Sequence, residues 1–170
     1  MLQQMQAWYR EDSDLFSLRA GRLTHSVYQK ITPELAAAFA GLVETDEREN
    51  LEFVLELLER FEGAEQTWPL YKAIISKPQS DDALLRRVIA GLQATGVVSG
   101  EFGMAEAYKA RRAVLVQWLE DGDEKVRRFA RTQVATFDRM IVAEQRRAEE
   151  DLELRKRTWG TDFGDDKARA

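Results

Sequence analysis

The sequence predicts an all-α protein, a short right-handed α-solenoid of helical hairpins that ends in a long charged helix. Three observations lead to this prediction. Every apolar pattern longer than one turn has helical spacing, which indicates seven or so helices. The chain has only three prolines and is rich in alanine, leucine, glutamate and arginine, which favours helix throughout. One helical segment occurs twice, at an offset of 41 residues.

The first 31 residues are the least regular part of the chain. Met5, Trp8 and Tyr9 suit one face of a short helix, and apolar residues from Leu15 to Ile31 suggest one or two more. Two interpretations stay open for residues 1–31. They form a capping helix folded onto the array, or they are a partial repeat and further repeats lie upstream.

Two helices follow with clear boundaries. Thr32 and Pro33 begin a helix that runs to about Glu44, because threonine caps well and proline suits the first helical position. Thr45 and Asp46 open the next helix, and Gly63 ends it. Its core face is predicted to contain Leu51, Val54, Leu55, Leu58 and Phe61, with Phe53 and Leu57 contacted from a second direction.

The same helix carries an acidic row on its other side. The row faces away from the leucines of the core face, and a charged helix face is usually solvated. We therefore expect it to contribute little to folding and to be free to meet a partner. Its members are Glu49, Glu52, Glu56 and Glu59.

A short helix near Pro69, a loop at 77–80 and a helix capped by Asp81 and Asp82 come next, and Gly96 stops the last of these. The glycine-rich stretch 96–103 lacks both the P-loop and the dinucleotide-binding glycine spacing. We interpret it as a loop between repeats. The following helix spans 104–119.

The segment from Trp118 to Val142 is the most regular in the chain. Gly122 is expected to take a positive φ in the turn, and Asp123 to cap the next helix. That helix carries a continuous apolar stripe that includes Phe129 and Phe137. It is expected to run over 123–157 and to project beyond the packed body. Residues 158–170 are predicted to be a mobile tail, which leaves 1–157 as one domain.

The repeated segment carries a family resemblance. Residues 85–90 read LRRVIA and residues 126–130 read VRRFA, and Asp82 falls on Asp123. Over residues 66–142 the chain resembles the HEAT-repeat family, in which an aspartate-bearing turn precedes an inner helix carrying arginine. The resemblance implies that Asp82 with Arg86, and Asp123 with Arg127, form a ladder between repeats. Each pair is spaced i,i+4, so a contact within one helix also suits the geometry.

The sequence shows no constellation typical of catalysis. It has no cysteine, which excludes thiolate metal sites and cysteine nucleophiles. The one histidine, His25, has no clustered partner and is interpreted as a packing or surface residue. The segment from Asp121 lacks the glycine and the last carboxylate of a calcium loop. We therefore expect no enzymatic activity, no cofactor and no metal. Without a signal or membrane segment, a cytoplasmic location is expected.

Charge is unevenly distributed along the chain. Residues 1–64 hold 12 acidic and 6 basic side chains, whereas residues 104–157 hold 11 acidic and 13 basic ones. The excess of positive charge is too small to indicate a nucleic-acid interface by itself. Arginine pairs recur at 86–87, 111–112 and 127–128. One member of each is expected to serve the ladder, and the other to line an edge that meets an acidic partner or phosphates.

Two functions are weighed from these features. The first is a non-enzymatic protein–protein interaction or scaffold module. The alternative is the C-terminal regulatory or sensor module of a larger nucleic-acid-processing or bacterial defence ATPase that touches nucleic acid through its arginine-rich helices. Oligomeric state is left open. Besides the acidic row, the predicted interaction residues are Arg111, Arg128, Arg131, Arg146, Arg147, Arg155 and Arg157.

Overall fold

The computed structural model describes residues 1–61 and 63–159, apart from the side chains of Ala20, Gly21, Leu23, His25 and Trp159. The described residues form α-helices joined by turns and loops, with no strand among them, so the predicted all-α class is confirmed. The role predicted for His25 and most of the predicted tail lie outside the described residues. The helices are α1 (Leu2–Glu11), α2 (Ser13–Val27), α3 (Pro33–Glu44), α4 (Arg48–Leu58), α5 (Trp68–Ser76), α6 (Asp82–Gln93), α7 (Gly103–Gln117) and α8 (Glu124–Trp159).

Local side-chain caps set several helix starts. Thr32 accepts a hydrogen bond from the Leu35 N–H at 3.3 Å, with Pro33 as the first helical residue of α3. Asp81 accepts from the second and third N–H groups of α6, and Asp123 accepts from the Lys125 N–H at 2.7 Å. These caps satisfy N–H groups that have no partner within the helix. The cap predicted for Asp81 and Asp82 thus belongs to Asp81 alone.

Helix α4 is at the centre of the hydrophobic core. From Asn50 to Leu58 every residue except Glu52 is buried, and α1, α2, α3 and α6 all pack against the helix. Phe53 and Leu57 are fully buried, as the prediction of contacts from two directions required. Phe53 also contacts the rings of Tyr9 and Phe16 at centroid distances of 5.4 and 5.8 Å, which joins the N-terminal hairpin to the core.

Successive helices pair as four hairpins, but the last hairpin contacts its neighbour differently from the others. Helix α3 packs against α5, and α4 packs against α6, as in a repeat array. In the last hairpin, however, α8 packs against α5, and α7 packs against α6. The first and second helices of that hairpin have therefore exchanged neighbours. The contacts do not establish a continuous solenoid.

The turn before α8 is closed differently from the prediction. Positive φ occurs at Gly63, Gly96, Gly100 and Asp46, and Gly122 is not among them. Charged side chains hold the turn instead. The Asp121 carboxylate accepts from Lys72 Nζ at 2.6 Å and from the Asp123 N–H at 2.9 Å. The turn is thereby attached to α5, so a left-handed residue is not needed to orient the chain.

Helix α8 stays packed beyond the point where its strong apolar stripe ends. Ala148 is buried, and Arg155 forms an ion pair at 2.8 Å with Glu101 in the loop before α7. The expectation that the helix projects beyond the packed body is therefore wrong at least as far as Ala148. The predicted helix itself is confirmed and reaches Trp159.

We expect replacement of two helical glycines by alanine to have opposite effects on the free energy of unfolding. At Gly91 in α6, a Cβ would overlap the Tyr71 hydroxyl and lie 2.5 Å from its Cζ, because the α5 ring crosses the α6 backbone there. Gly91→Ala should lower the free energy of unfolding by about 1–3 kcal/mol. At Gly41 in α3, a Cβ meets nothing within 4 Å. Gly41→Ala should raise the free energy of unfolding by up to about 1 kcal/mol. Urea denaturation of both variants tests the packing, and a stabilising Gly91→Ala would contradict it.

The Asp121 contact predicts a dependence of stability on pH. The Lys72 ammonium holds the pKa of the Asp121 carboxyl below its ordinary value, and the bond from the Asp123 N–H adds to the effect. When the pKa of a carboxyl is lower in the folded state than in the unfolded state, the ionised carboxylate stabilises the protein above the unfolded-state pKa. This stabilisation is lost as pH falls through the folded-state pKa. Asp121→Asn should therefore lower Tm at neutral pH, and the difference should narrow below about pH 4. A difference that is constant with pH would contradict this account.

Candidate docking groove

All four glutamates of the acidic row form ion pairs with arginines of the same chain. Glu49 pairs with Arg10 of α1 at 3.0 Å, and Glu52 pairs with Arg48 one turn away. Glu56 and Glu59 pair with arginines as well. The expectation of an unengaged acidic face is wrong, because arginines of α1, α4 and α6 pair with it, although Glu49, Glu52 and Glu59 keep partial access to water.

The strongest of these contacts joins α4 to α6. Arg87 donates to Glu56 at 2.9 Å and to Glu59 at 2.7 Å, and Arg60 donates to the other oxygen of Glu56 at 2.9 Å. Glu56 is buried, whereas Arg87 keeps partial access to water. Burial opposes the charge on Arg87, but the ion pairs with Glu59 and Glu56 outweigh it and raise the pKa of the guanidinium. Both carboxylates are thus unavailable to a partner.

Arg111 is a structural residue. It is buried, and its guanidinium donates to the carbonyls of Ala94 and Ala107, which lie at the C-terminal end of α6 and in α7. Burial lowers the pKa of Arg111. The prediction of a surface role for this arginine is wrong, because the carbonyl at the end of α6 needs a donor and the side chain of α7 supplies it.

Most predicted arginines of α8 have acidic neighbours. Arg131 pairs with Glu124 at 3.5 Å, and Arg146 with Glu150 at 3.3 Å. Arg147 lies 4.0 Å from Glu144, and Arg155 pairs with Glu101. Exposed pairs of this kind contribute little to stability, and they reduce the positive potential of the helix. Within the described part of the chain, Arg128 and Arg157 are exposed and form no ion pair.

The predicted Asp–Arg ladder is absent from the described contacts. Asp82 is exposed and pairs with neither Arg86 nor another described arginine. Arg127 donates to Glu124 and to the carbonyls of Asp121 and Gly122, rather than to the Asp123 side chain. The last hairpin exchanges its neighbours, so residues that match at the 41-residue offset do not meet.

The arginine pairs do not divide as predicted, because no member serves a ladder among the described contacts and both members of the 111–112 pair are engaged, Arg112 with Asp138. The other two pairs each have one engaged and one open member. Arg87 and Arg127 are held by carboxylates, whereas Arg86 and Arg128 are exposed and unpaired among the described residues. Both open arginines line the same groove, which lies between α6 and the first turns of α8. The tertiary fold thus brings two free guanidinium groups to one site.

The groove has an apolar floor and a mostly cationic rim. It encloses about 420 Å³ and is open to solvent. Its apolar lining comes from α5, α6 and α8, while Asp82 contributes the one carboxylate. Lys125 also lines it, but its ammonium is held by the Lys77 carbonyl at 3.0 Å. The apolar residues of the floor are Ile75, Leu85, Ile89 and Phe129.

Gln133 gives the groove a neutral polar group. Its side chain lines the groove and only 5% of the residue is exposed, but its amide atoms are not among the fully buried polar atoms of the described residues that lack a hydrogen bond. The amide therefore reaches solvent through the open groove. The amide can serve a backbone N–H and a carbonyl of a ligand at the same time. Sequence analysis missed Gln133 because it occupies a core-facing position on the α8 stripe.

A second open surface lies on the N-terminal hairpin. Trp8, Leu15 and Leu18 are 40%, 41% and 84% exposed, and Trp8 and Leu15 line a depression of about 900 Å³ between α1 and α2. Acidic and basic side chains both surround it, so its charge does not select one class of ligand. The smaller groove between α6 and α8 has a mostly cationic rim and does select one.

Similarity to known proteins assigns no family to the chain. No protein-family model, curated protein or solved structure matches the chain. Among the described residues, no group of three or more metal-ligating side chains is placed to hold an ion. None of the described helices combines the length and the apolar character needed to cross a membrane.

The buried ion pair predicts unequal effects of neutralising two glutamates on one helix. Glu56→Gln leaves Arg87 and Arg60 without a buried partner, so it should lower the free energy of unfolding by about 3 kcal/mol. Glu49→Gln breaks a half-exposed pair with Arg10 and should cost less than about 1 kcal/mol. Chemical denaturation measures the free energy of unfolding of both variants. Equal decreases would show that the burial of Glu56 does not increase the contribution of its ion pairs to stability.

Proposed function

We propose that the chain is a non-enzymatic protein–protein interaction or scaffold module, built from HEAT-like helical hairpins and working in the cytoplasm. The observation that carries the proposal is the groove between α6 and α8. It combines an apolar floor with two guanidinium groups that the fold does not neutralise. Such a surface suits an apolar side chain flanked by carboxylates.

The chemistry of the groove favours recognition over catalysis. Arginine keeps its proton at neutral pH, so Arg86 and Arg128 can donate hydrogen bonds but cannot relay protons. Their planar guanidinium groups suit bidentate contact with carboxylates. The Gln133 amide is also a hydrogen-bonding group without acid–base function, and Asp82 is the one carboxylate of the lining. These properties support binding of a peptide-like ligand.

The repeat architecture is part of the proposal. Stacking of α3 on α5 and α4 on α6 supports a HEAT-like relation between the two middle hairpins. The last hairpin departs from it, and that departure creates the groove, because α8 takes the place beside α5. We propose that the array is short and that its last hairpin is specialised for binding.

Nucleic-acid binding stays the alternative. Arg86, Arg128 and Arg157 could meet phosphates, but Arg111 is buried and the other nominated arginines have acidic neighbours. A nucleic-acid surface also needs several neighbouring cations that release counterions together. The apolar floor has no use in backbone binding. These considerations favour a protein ligand.

Site-specific photo-crosslinking in the cells that express the protein tests the proposal. A photoreactive amino acid at Thr132, which is exposed and lines the groove, should give discrete protein adducts. The same amino acid at Ala135, which is exposed on α8 outside the groove, is the matched control and should give none. Mass spectrometry then identifies the adducts. Adducts to nucleic acid, or equal labelling at both positions, would contradict the proposed function.

A further inference from the structure

The groove sets chemical requirements that one segment of this chain meets. A ligand needs an apolar side chain for the floor and carboxylates for Arg86 and Arg128. Residues 160–170, beyond the described part of the chain, read GTDFGDDKARA. They place Phe163 between Asp162 and the pair at 165–166. No other aromatic residue of the chain has three aspartates within three positions.

We propose that the C-terminal segment of a second copy of this chain docks in the groove. This inference rests on the proposed function and names its ligand. Phe163 covers the apolar floor beside Phe129, and the aspartates pair with the two open arginines. The Gln133 amide, which faces the groove, hydrogen-bonds to the backbone of the docked segment.

Chain length excludes docking of the segment onto its own groove. Helix α8 is continuous from Glu124 to Trp159. At a rise of about 1.5 Å per residue, its end lies about 45 Å from Phe129. The four residues from Gly160 to Phe163 span at most about 14 Å when extended. Phe163 therefore cannot return to the groove while α8 remains helical, and the contact must form between two molecules.

The proposed contact joins different surfaces of the two copies. One copy supplies the groove and the other supplies the tail, so each pair leaves one groove and one tail free. Such a heterologous contact generates head-to-tail chains unless the arrangement closes into a ring. The long α8 then acts as a rigid spacer between successive grooves.

Charge-reversal variants of the full chain test the inference by sedimentation velocity over a concentration series up to about 1 mM. Wild-type protein should show a weight-average mass that rises with concentration. Arg86→Glu with Arg128→Glu, or Asp162→Lys with Asp165→Lys, should each weaken self-association at least about tenfold. The control, Arg22→Glu with Arg139→Glu, makes the same change at exposed sites outside the groove and should behave as wild type. Circular dichroism checks that every variant remains helical.

Mixing the two reversed variants gives the sharper result. The groove variant retains a wild-type tail, and the tail variant retains a wild-type groove. An equimolar mixture should therefore regain association, although each protein alone associates at least about tenfold more weakly than wild type. Phe163→Ala in both variants should abolish that gain.

Three outcomes would overturn the inference: a wild-type protein that stays monomeric throughout, tail variants that associate like wild type, or a mixture that fails to combine. If tail variants change nothing while the groove variant loses crosslinks from Thr132 to another protein, the proposed function stands and the C-terminal segment is not its ligand. If the groove variant retains both its self-association and its crosslinks, the inference and the proposed function are both contradicted.

Discussion

The ion pair between Glu56 and Arg87 is the contact on which the arrangement of the site depends. Helix α4 is buried on nearly all sides, so a carboxylate on it must be neutralised by a neighbouring helix. Arg87 supplies that charge from α6 and thereby sets the rotation of α6 about its own axis. Successive residues of a helix are separated by about 100°. Engagement of Arg87 with α4 therefore directs Arg86 toward the groove.

At the start of α8, one arginine is again held within the protein while the next one stays open, but the contacts are different. Arg127 is held by Glu124 and by the carbonyls of the turn, and the turn is attached to α5 through Lys72 and Asp121. Arg128, the next residue, is then directed outward and toward α6. Internal neutralisation and the proposed ligand recognition are therefore linked, because the arginines that are paired within the fold determine which arginines remain open.

Much of the fold could be predicted from local pattern. The cap at Thr32, the cap at Asp123 and the double burial of Phe53 and Leu57 follow from residues within a few positions of one another. The positive φ expected at Gly122 was a local prediction that proved wrong, but the errors at the site concern distant partners. Glu56 looked like part of a solvated row because Arg87 lies 31 residues away, and Arg111 looked like a surface cation because its acceptor belongs to α6. Gln133 gave no signal, since an amide on an apolar stripe resembles an ordinary core substitution.

The sequence by itself determined the all-helical class, most helix boundaries and the apolar face of each helix. These depend on caps and on i,i+3 and i,i+4 spacing, which are properties of a few neighbouring residues. Only the tertiary structure decided that α8 packs beside α5, that the acidic row is paired, and that Arg86 and Arg128 share one groove. Whether a charge meets water or a counter-charge depends on helices brought together from elsewhere in the chain, and no local pattern records that choice.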